Sequence, residues 1–350
     1  SDFKEIAVEA ARRVEMQITR GMNEAQQLAT TPFLRTAVFE ANRTYEGKDA
    51  HSISEIIKEW QQRWGQRAKR SEFPLFVNRI VTNSLIQWHE IRKSDYIGIL
   101  VTDGQGALVV SSIPQVEYSY AKTAWWQAVV KTGSRRPYVS EISFDPAFGT
   151  HVVAVAAPIL DDRHQAVIGA VTILLRRDTL FQSISEESFG ATGHAMLVAT
   201  DGGVVICPVL APEAHSVDID FLGALDTTKP GWVLAPDDWH GNKDALIGMA
   251  PVRFSGLLAP GSLGGKRWMT VVRQDPAETF APLGELIVKV LLFGVAVLMG
   301  LGGIGVVVAR RIAEPVLRVV AIGEQHDHLV EVRRGRGRVH RRDVRQGLPG

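Results

Sequence analysis

Two stretches of the chain set an aspartate between apolar runs and a glycine: YIGILVTDGQGALVVSS from Tyr96 to Ser112, and HAMLVATDGGVVICP from His194 to Pro208. A carboxylate in such a loop can serve as a general acid or base, but an aspartate before glycine in a hairpin is more simply the turn itself. GSLGGKRW, from Gly261 to Trp268, approaches a phosphate-cradling loop. Pro260 stands at its first glycine position, however, and Arg267 replaces the Ser or Thr that would reach a metal ion. His151, His164, His194, His215 and His240 are scattered, with no H-E-x-x-H and no paired Cys-His spacing. No nucleophile has a base near it in sequence. These residues predict neither a catalytic centre, nor a metal site, nor a cofactor.

A length of 350 residues predicts two or three folding units. A net charge of +1 with 22% charged residues gives no reason to expect a nucleic-acid partner. Cys207 is the single cysteine, which excludes an intrachain disulfide framework.

The elements that must carry any site begin with helices. From Phe3, apolar residues recur at Ala7, Ala10, Val14, Ile18, Met22, Ala25 and Ala29, one buried stripe of a long helix. Thr31-Pro32 should interrupt it, since proline removes a helical hydrogen bond. SISEIIKEWQQRW then restarts with Ser52 and Glu55 at capping-box spacing, and LFVNRIVTNSLIQWHEIRK adds a third helical run. From Tyr96 the period changes to two. A hairpin around Asp103 to Gly106, a short helix WWQAVVK ended by Gly133, and strands YVSEISF, THVVAVAAPIL and AVIGAVTILL predict one antiparallel sheet module. The same order begins again at Phe189, with hairpin, short helix DIDFLGAL, a turn-rich connector GWVLAPDDW, and strands DALIGMAPVRF and RWMTVVRQD. This second module reads as shorter and looser, with a Gly-rich loop LLAPGSLGG before its last strand.

From Leu286 to Ala309 the chain runs 24 residues with Lys289 as the only charge. At ~1.5 Å per residue this crosses a hydrocarbon core of ~30 Å, and Lys289 can snorkel to the interface. Arg310, Arg311 and Arg318 follow, so the positive-inside rule places the C-terminus in the cytoplasm and residues 1–285 outside the cell membrane. Ala296 with Gly300, and Gly305 with Ala309, are small-residue pairs that allow close helix approach in a homodimer. Ser1 is not a methionine, and a signal or first membrane helix is expected ahead of it.

This order of parts, with VTDGQGALVVSS, GHAMLVATDGGVVI, the apolar helix and ARRIAEPVLRVVAIGE, resembles the double Cache extracytoplasmic sensor of bacterial transmembrane receptors. The resemblance implies an α+β fold, a long N-terminal helix carrying two PAS-like antiparallel-sheet modules, then one transmembrane helix. Its divisions are a helical region at 1–95, a membrane-distal module at 96–188, a membrane-proximal module at 189–285, the membrane helix at 286–309 and a partial HAMP linker at 310–325, with Pro315 at the linker's typical proline. In such receptors a small molecule binds the distal module between the sheet and the segment after the first hairpin. Here that segment is VEYSYAKTAWWQAVV, so Tyr118, Tyr120, Trp125 and Trp126 are the expected pocket walls, with Lys122 as a charge for an anionic ligand. Adjacent helical residues should not both face fully inward, so at least one tryptophan is expected in the pocket. Tyr138, rather than Glu141, should face the ligand, since the two lie on opposite faces of a strand; Asp145 is read as a turn initiator.

The amino-acid-binding branch of that family spaces Tyr, four residues, Arg, one residue, Trp and an aromatic, with a late Asp. Tyr118, Trp125 and Trp126 match, but Thr123 stands at the arginine and no aspartate lies around Leu174. Without the bidentate guanidinium, a small carboxylate or an uncharged metabolite is expected rather than an amino acid. The function implied is ligand sensing for a histidine kinase or chemoreceptor, with no catalysis in this stretch; the rival is a membrane-anchored extracytoplasmic enzyme or envelope-assembly protein. From His326 the chain turns basic without an apolar stripe, so residues 326–350 are either a disordered tail drawn to anionic lipid or the product of a reading-frame error, which the abrupt break favours.

Overall fold

The computed structural model describes the chain apart from residues 1, 66–78, 115–116, 147, 162, 164–165, 186–189, 211–214, 216–218, 238, 242, 255–257, 320–321 and 323–350. The basic tail and most of the HAMP-like connector's end therefore lie outside the described residues. Residues 1–279 form one compact unit and residues 280–350 another.

Helix α1 (Asp2–Ala29) is the spine of the first unit. Its stripe at Ala7, Ala10, Val14, Ile18, Met22, Ala25 and Ala29 is buried, and it packs on strands of both sheets. Burial of side chains such as Val14, Ile18 and Met22 contributes ~1.5–3 kcal/mol each. The helix stops where expected: the Thr31 hydroxyl donates to the Leu28 carbonyl at 2.6 Å, and Pro32 opens α2 (Pro32–Arg43). Helix α3 (Ala50–Gly65) starts before the expected Ser52 cap, because the Asp49 carboxylate accepts the Ser52 N–H at 2.7 Å and takes the capping role. Helix α4 (Arg79–Glu90) leads into the first sheet.

That sheet contains β1 (Tyr96–Asp103), β2 (Leu108–Ser111), β3 (Tyr138–Val139), β4 (Ser143–Asp145), β5 (Thr150–Leu160) and β6 (Val167–Arg176), in the order β2-β1-β6-β5-β3 with β4 also on β5. YVSEISF is thus two short strands rather than one: Ser140 spends its hydroxyl on the Glu141 carbonyl and the Ala154 N–H between them, at 2.7 and 2.8 Å. After α5 (Ala124–Trp126) the backbone widens to a π-helical turn at Gln127–Lys131, and α6 (Arg177–Ser185) joins the modules.

The second sheet, β7 (His194–Ala199), β8 (Val204–Ile206), β9 (Gly231–Asp237), β10 (Lys243–Pro251) and β11 (Trp268–Arg273), with α7 (Ile219–Ala224) between β8 and β9, has the order β8-β7-β11-β10-β9. It repeats the connectivity of the first. GWVLAPDDW, read as a connector, is strand β9, paired with β10 from Asp237↔Lys243 to Gly231↔Met249. Its proline is tolerated because β9 is an edge strand, whose outer N–H groups need no ladder partner. The second module is therefore a complete five-stranded sheet. Alternate residues of both sheets pack into one core with α1, and the buried Thr270 hydroxyl donates to the Ala7 carbonyl at 2.6 Å.

Helix α8 begins at Pro276, ten residues before the apolar run, and continues helically to Val319 with a π turn at Ala309–Ala313. It is the one helix among the described residues long and apolar enough to cross a membrane.

Candidate ligand-binding site

The pleat of the first sheet sends Val153, Val155 and Ala157 toward α1 and leaves Val152, Ala154 and Ala156 on the opposite face. On that face Ile97, Leu100, Ala170 and Leu174 join them beneath an aromatic layer from the segment after the first hairpin. Small alanines on the sheet make room for large rings above, which is how a fold assembles an aromatic-lined site.

The segment is tied down at its start. The Leu108 N–H donates to the Tyr118 carbonyl at 2.8 Å and the Tyr120 N–H to the Gly106 carbonyl at 2.7 Å. Gly106, at φ 84°, is required here: a Cβ would strike the Ala121 backbone. From the other side, the Gln61 side chain of α3 accepts the Tyr118 and Ser119 N–H groups at 3.1 and 2.8 Å and donates to Glu117 at 2.5 Å. Trp64 of the same helix lies against Tyr118, centroids 6.1 Å apart.

The structure brings Tyr118, Tyr120, Trp125, Trp126 and Tyr138 into this one cluster. Both tryptophans are buried, at 6% and 8% exposure, which corrects the expectation that adjacent helical residues cannot both turn inward. The layer has two walls: Trp125 faces Tyr120, centroids 5.5 Å apart, while the Trp126 indole N–H donates to the Asp103 carbonyl at 3.3 Å. Lys122 is exposed and is not brought into the cluster. Tyr138 is buried while the Glu141 carboxylate, in the break between β3 and β4, pairs with Lys266 at 2.8 Å.

Asp103 carries more than a turn. Its carboxylate accepts the Gln105 and Ala107 N–H groups at 2.8 and 2.9 Å and the Tyr45 hydroxyl at 3.0 Å. Burial pushes its pKa up to about 6 against the pull of those donors. Burial also raises the phenols of Tyr45, Tyr118 and Tyr120, so all three stay protonated. Asp201 of the second hairpin is different: exposed, it pairs with Lys266 at 2.8 Å, which holds its carboxyl below the usual range. The Thr123 hydroxyl donates to the Tyr120 carbonyl at 2.8 Å, closing the turn ahead of α5. The charges that bear on the tyrosine phenols, Asp103, Glu117 and Asp145, are all acidic.

Two arrangements escaped the sequence reading. The Gly-rich loop before β11 docks on the first module, the Ala259 N–H donating to the Pro137 carbonyl at 2.7 Å and the Val139 N–H to the Ser262 hydroxyl at 3.3 Å. His194, His215 and His240, scattered along the chain, meet Cys207 at one end of the second sheet. The first had no local signal; the second had only a repeated residue type.

The sequence profile of the Cache domain family matches residues 1–283. Among curated proteins, the methyl-accepting chemotaxis protein McpA of Pseudomonas putida is 24% identical over 190 residues, covering 53% of this chain and 27% of McpA. The methyl-accepting chemotaxis protein PctB of Pseudomonas aeruginosa is 25% identical over 205 residues, covering 57% of this chain and 30% of PctB. The chain thus spans less than a third of the curated relatives it matches. Among solved structures, the extracellular ligand binding receptor from Desulfohalobium retbaense superposes with a TM-score of 0.50 at 11% identity, over 77% of this chain and 40% of that one.

Proposed function

This chain belongs to the Cache domain family, and from that premise we propose that it is the sensing part of a membrane receptor of chemoreceptor or histidine-kinase type, binding a small molecule in its first sheet module. The observation that carries the reading is the aromatic layer of Tyr118, Tyr120, Trp125, Trp126 and Tyr138, roofed by α3 and floored by alanines. Of the two ligand classes expected, an uncharged metabolite fits better than a carboxylate: Lys122 is exposed and the nearby charges are acidic. The hydroxyl at Thr123, engaged with Tyr120, supplies no guanidinium for an α-carboxylate.

The signal would leave the site through Tyr138. A ligand pressing on β3 displaces Val139 against Ser262, and the loop carrying Ser262 runs straight into β11, whose end at Arg273 is followed by α8. A second route is α1, which packs on both sheets. Shifts of ~1–2 Å and couplings of ~1–3 kcal/mol are typical of such switches. Residues 286–309 then cross the cell membrane with residues 1–285 outside, and residues 310–325 pass the displacement to an output domain in a homodimer.

Thermal-shift measurements on the full chain in detergent against a metabolite panel test the ligand class. Uncharged metabolites should raise Tm and lose the effect in Tyr120→Ala; stabilisation by amino acids alone would overturn it. Ligand-independent disulfide crosslinking of single cysteines along residues 290–309, in a Cys207→Ala background, would overturn the transmembrane displacement.

A further inference from the structure

At one end of the second sheet the topology gathers four groups that the sensing reading does not use. His194 opens β7, Cys207 follows β8, His215 lies in the connection to α7, and His240 sits between β9 and β10. Cys207 Sγ lies 3.7 Å from His194 Nε2 and 3.7 Å from His240 Nε2, and the three donor atoms lie within 4.8 Å of one another. His215 Nε2 is 3.2 Å from His240 Nε2.

These spacings are those of a coordination sphere waiting to close. With Zn–S of about 2.3 Å and Zn–N of about 2.0–2.1 Å, donors on a tetrahedral ion stand about 3.3–3.6 Å apart. The surroundings are equally specific. His194 Nδ1 lies 3.1 Å from the Thr192 carbonyl, an arrangement that places the proton on Nδ1 and leaves the Nε2 lone pair facing the sulfur. The Val209 and Leu210 N–H groups both donate to Cys207 Sγ at 3.4 Å and hold the sulfur in place beside the imidazoles. Arg273 on β11 adds a positive charge near the sulfur.

We propose that Cys207, His194 and His240, with His215 as fourth donor, bind a transition-metal ion of the zinc class in the second sheet module. Nitrogen and thiolate donors exclude magnesium and calcium, which take oxygen. Arg273 Nη1 is 3.5 Å from His240 Nδ1, a contact that must open as Nδ1 takes the proton on ligation. The ion would staple β7, the segment after β8 and the β9–β10 turn together at the end of the sheet from which β11 runs on to α8.

The test uses the full chain in detergent, stripped with chelator and dialysed against Zn²⁺ or Mg²⁺. About one zinc and no magnesium per chain is expected, and Co²⁺ in place of zinc should give a thiolate-to-cobalt charge-transfer band. Cys207→Ser and His240→Ala should each weaken zinc affinity at least about tenfold and the former should abolish the band. Should either variant fail to fold, His215→Ala, at a half-buried loop position, should still weaken affinity with the circular dichroism unchanged. Absence of zinc uptake by the unaltered chain, or uptake with a cobalt spectrum free of the thiolate band, would overturn the proposal. Metal alone is the probe, so failure here leaves the small-molecule reading of the first module untouched.

Discussion

The Ser262 hydroxyl accepts the Val139 N–H at 3.3 Å, across 123 residues of sequence. Val139 adjoins Tyr138 of the aromatic layer, and Ser262 belongs to the loop before β11, so the two modules touch where one carries its candidate site. Lys266 of that loop reinforces the contact, 2.8 Å from both Glu141 and Asp201.

Removing that lysine should cost little in stability and more in communication. Lys266 is over a third exposed, so Lys266→Ala should lower stability by only about 0.5–1 kcal/mol, less at high salt. Urea denaturation at two ionic strengths reads this directly; a loss above about 2 kcal/mol would mean the triad does more than an exposed ion network can.

The aromatic layer separates folding from binding. Trp126→Ala, at a buried indole bonded to the Asp103 carbonyl, should cost about 3–5 kcal/mol. Tyr120→Ala, only half-buried, should keep most of the stability while abolishing ligand-induced shifts in Tm.

Asp103 should impose a pH dependence of its own. Its folded-state pKa, about 6, lies above the ordinary 3.8, so the folded protein holds the proton more tightly than the unfolded chain between those values. Stability must then fall as pH rises from about 4 to 6, by roughly 2–3 kcal/mol for this group alone. Asp103→Asn keeps the acceptor for Gln105 and Ala107 and removes the titration, so denaturation midpoints of the variant should gain on the unaltered protein across that window. Parallel pH profiles would contradict the assignment.

The close approach of α1 to the second sheet should be intolerant of bulk. A Cβ at Gly248 would run into the Phe3 carbonyl. Gly248→Val should therefore destabilise by about 1–3 kcal/mol or more despite valine's preference for strands, since the backbone of α1 must move away. Hydrogen exchange should show loosened amides at the start of α1 first.

Much of the architecture was legible in local patterns. The α1 stripe, the break at Pro32, the strands β5 and β6 and the apolar run of α8 each declare themselves through spacing, because burial on one face imposes a period of 3.6 or 2 whatever the partner. Strand β9 did not, since Pro236 and Asp237 look like turn chemistry until an edge position makes them harmless. The aromatic residues of the candidate site were readable through the family resemblance, but not their burial. The contact from α3, whose Gln61 accepts the Tyr118 N–H from 57 residues earlier, has no local signal.

By itself the sequence determined the elements, their repetition in two modules and the apolar helix, because these follow from composition and period over short windows. Only the tertiary structure decided who meets whom. His194, Cys207 and His240 converge because the start of β7, the exit from β8 and the β9–β10 turn lie at the same end of a sheet ordered β8-β7-β11-β10-β9. Strand order arises from the total packing of a chain against α1, and no local period records it.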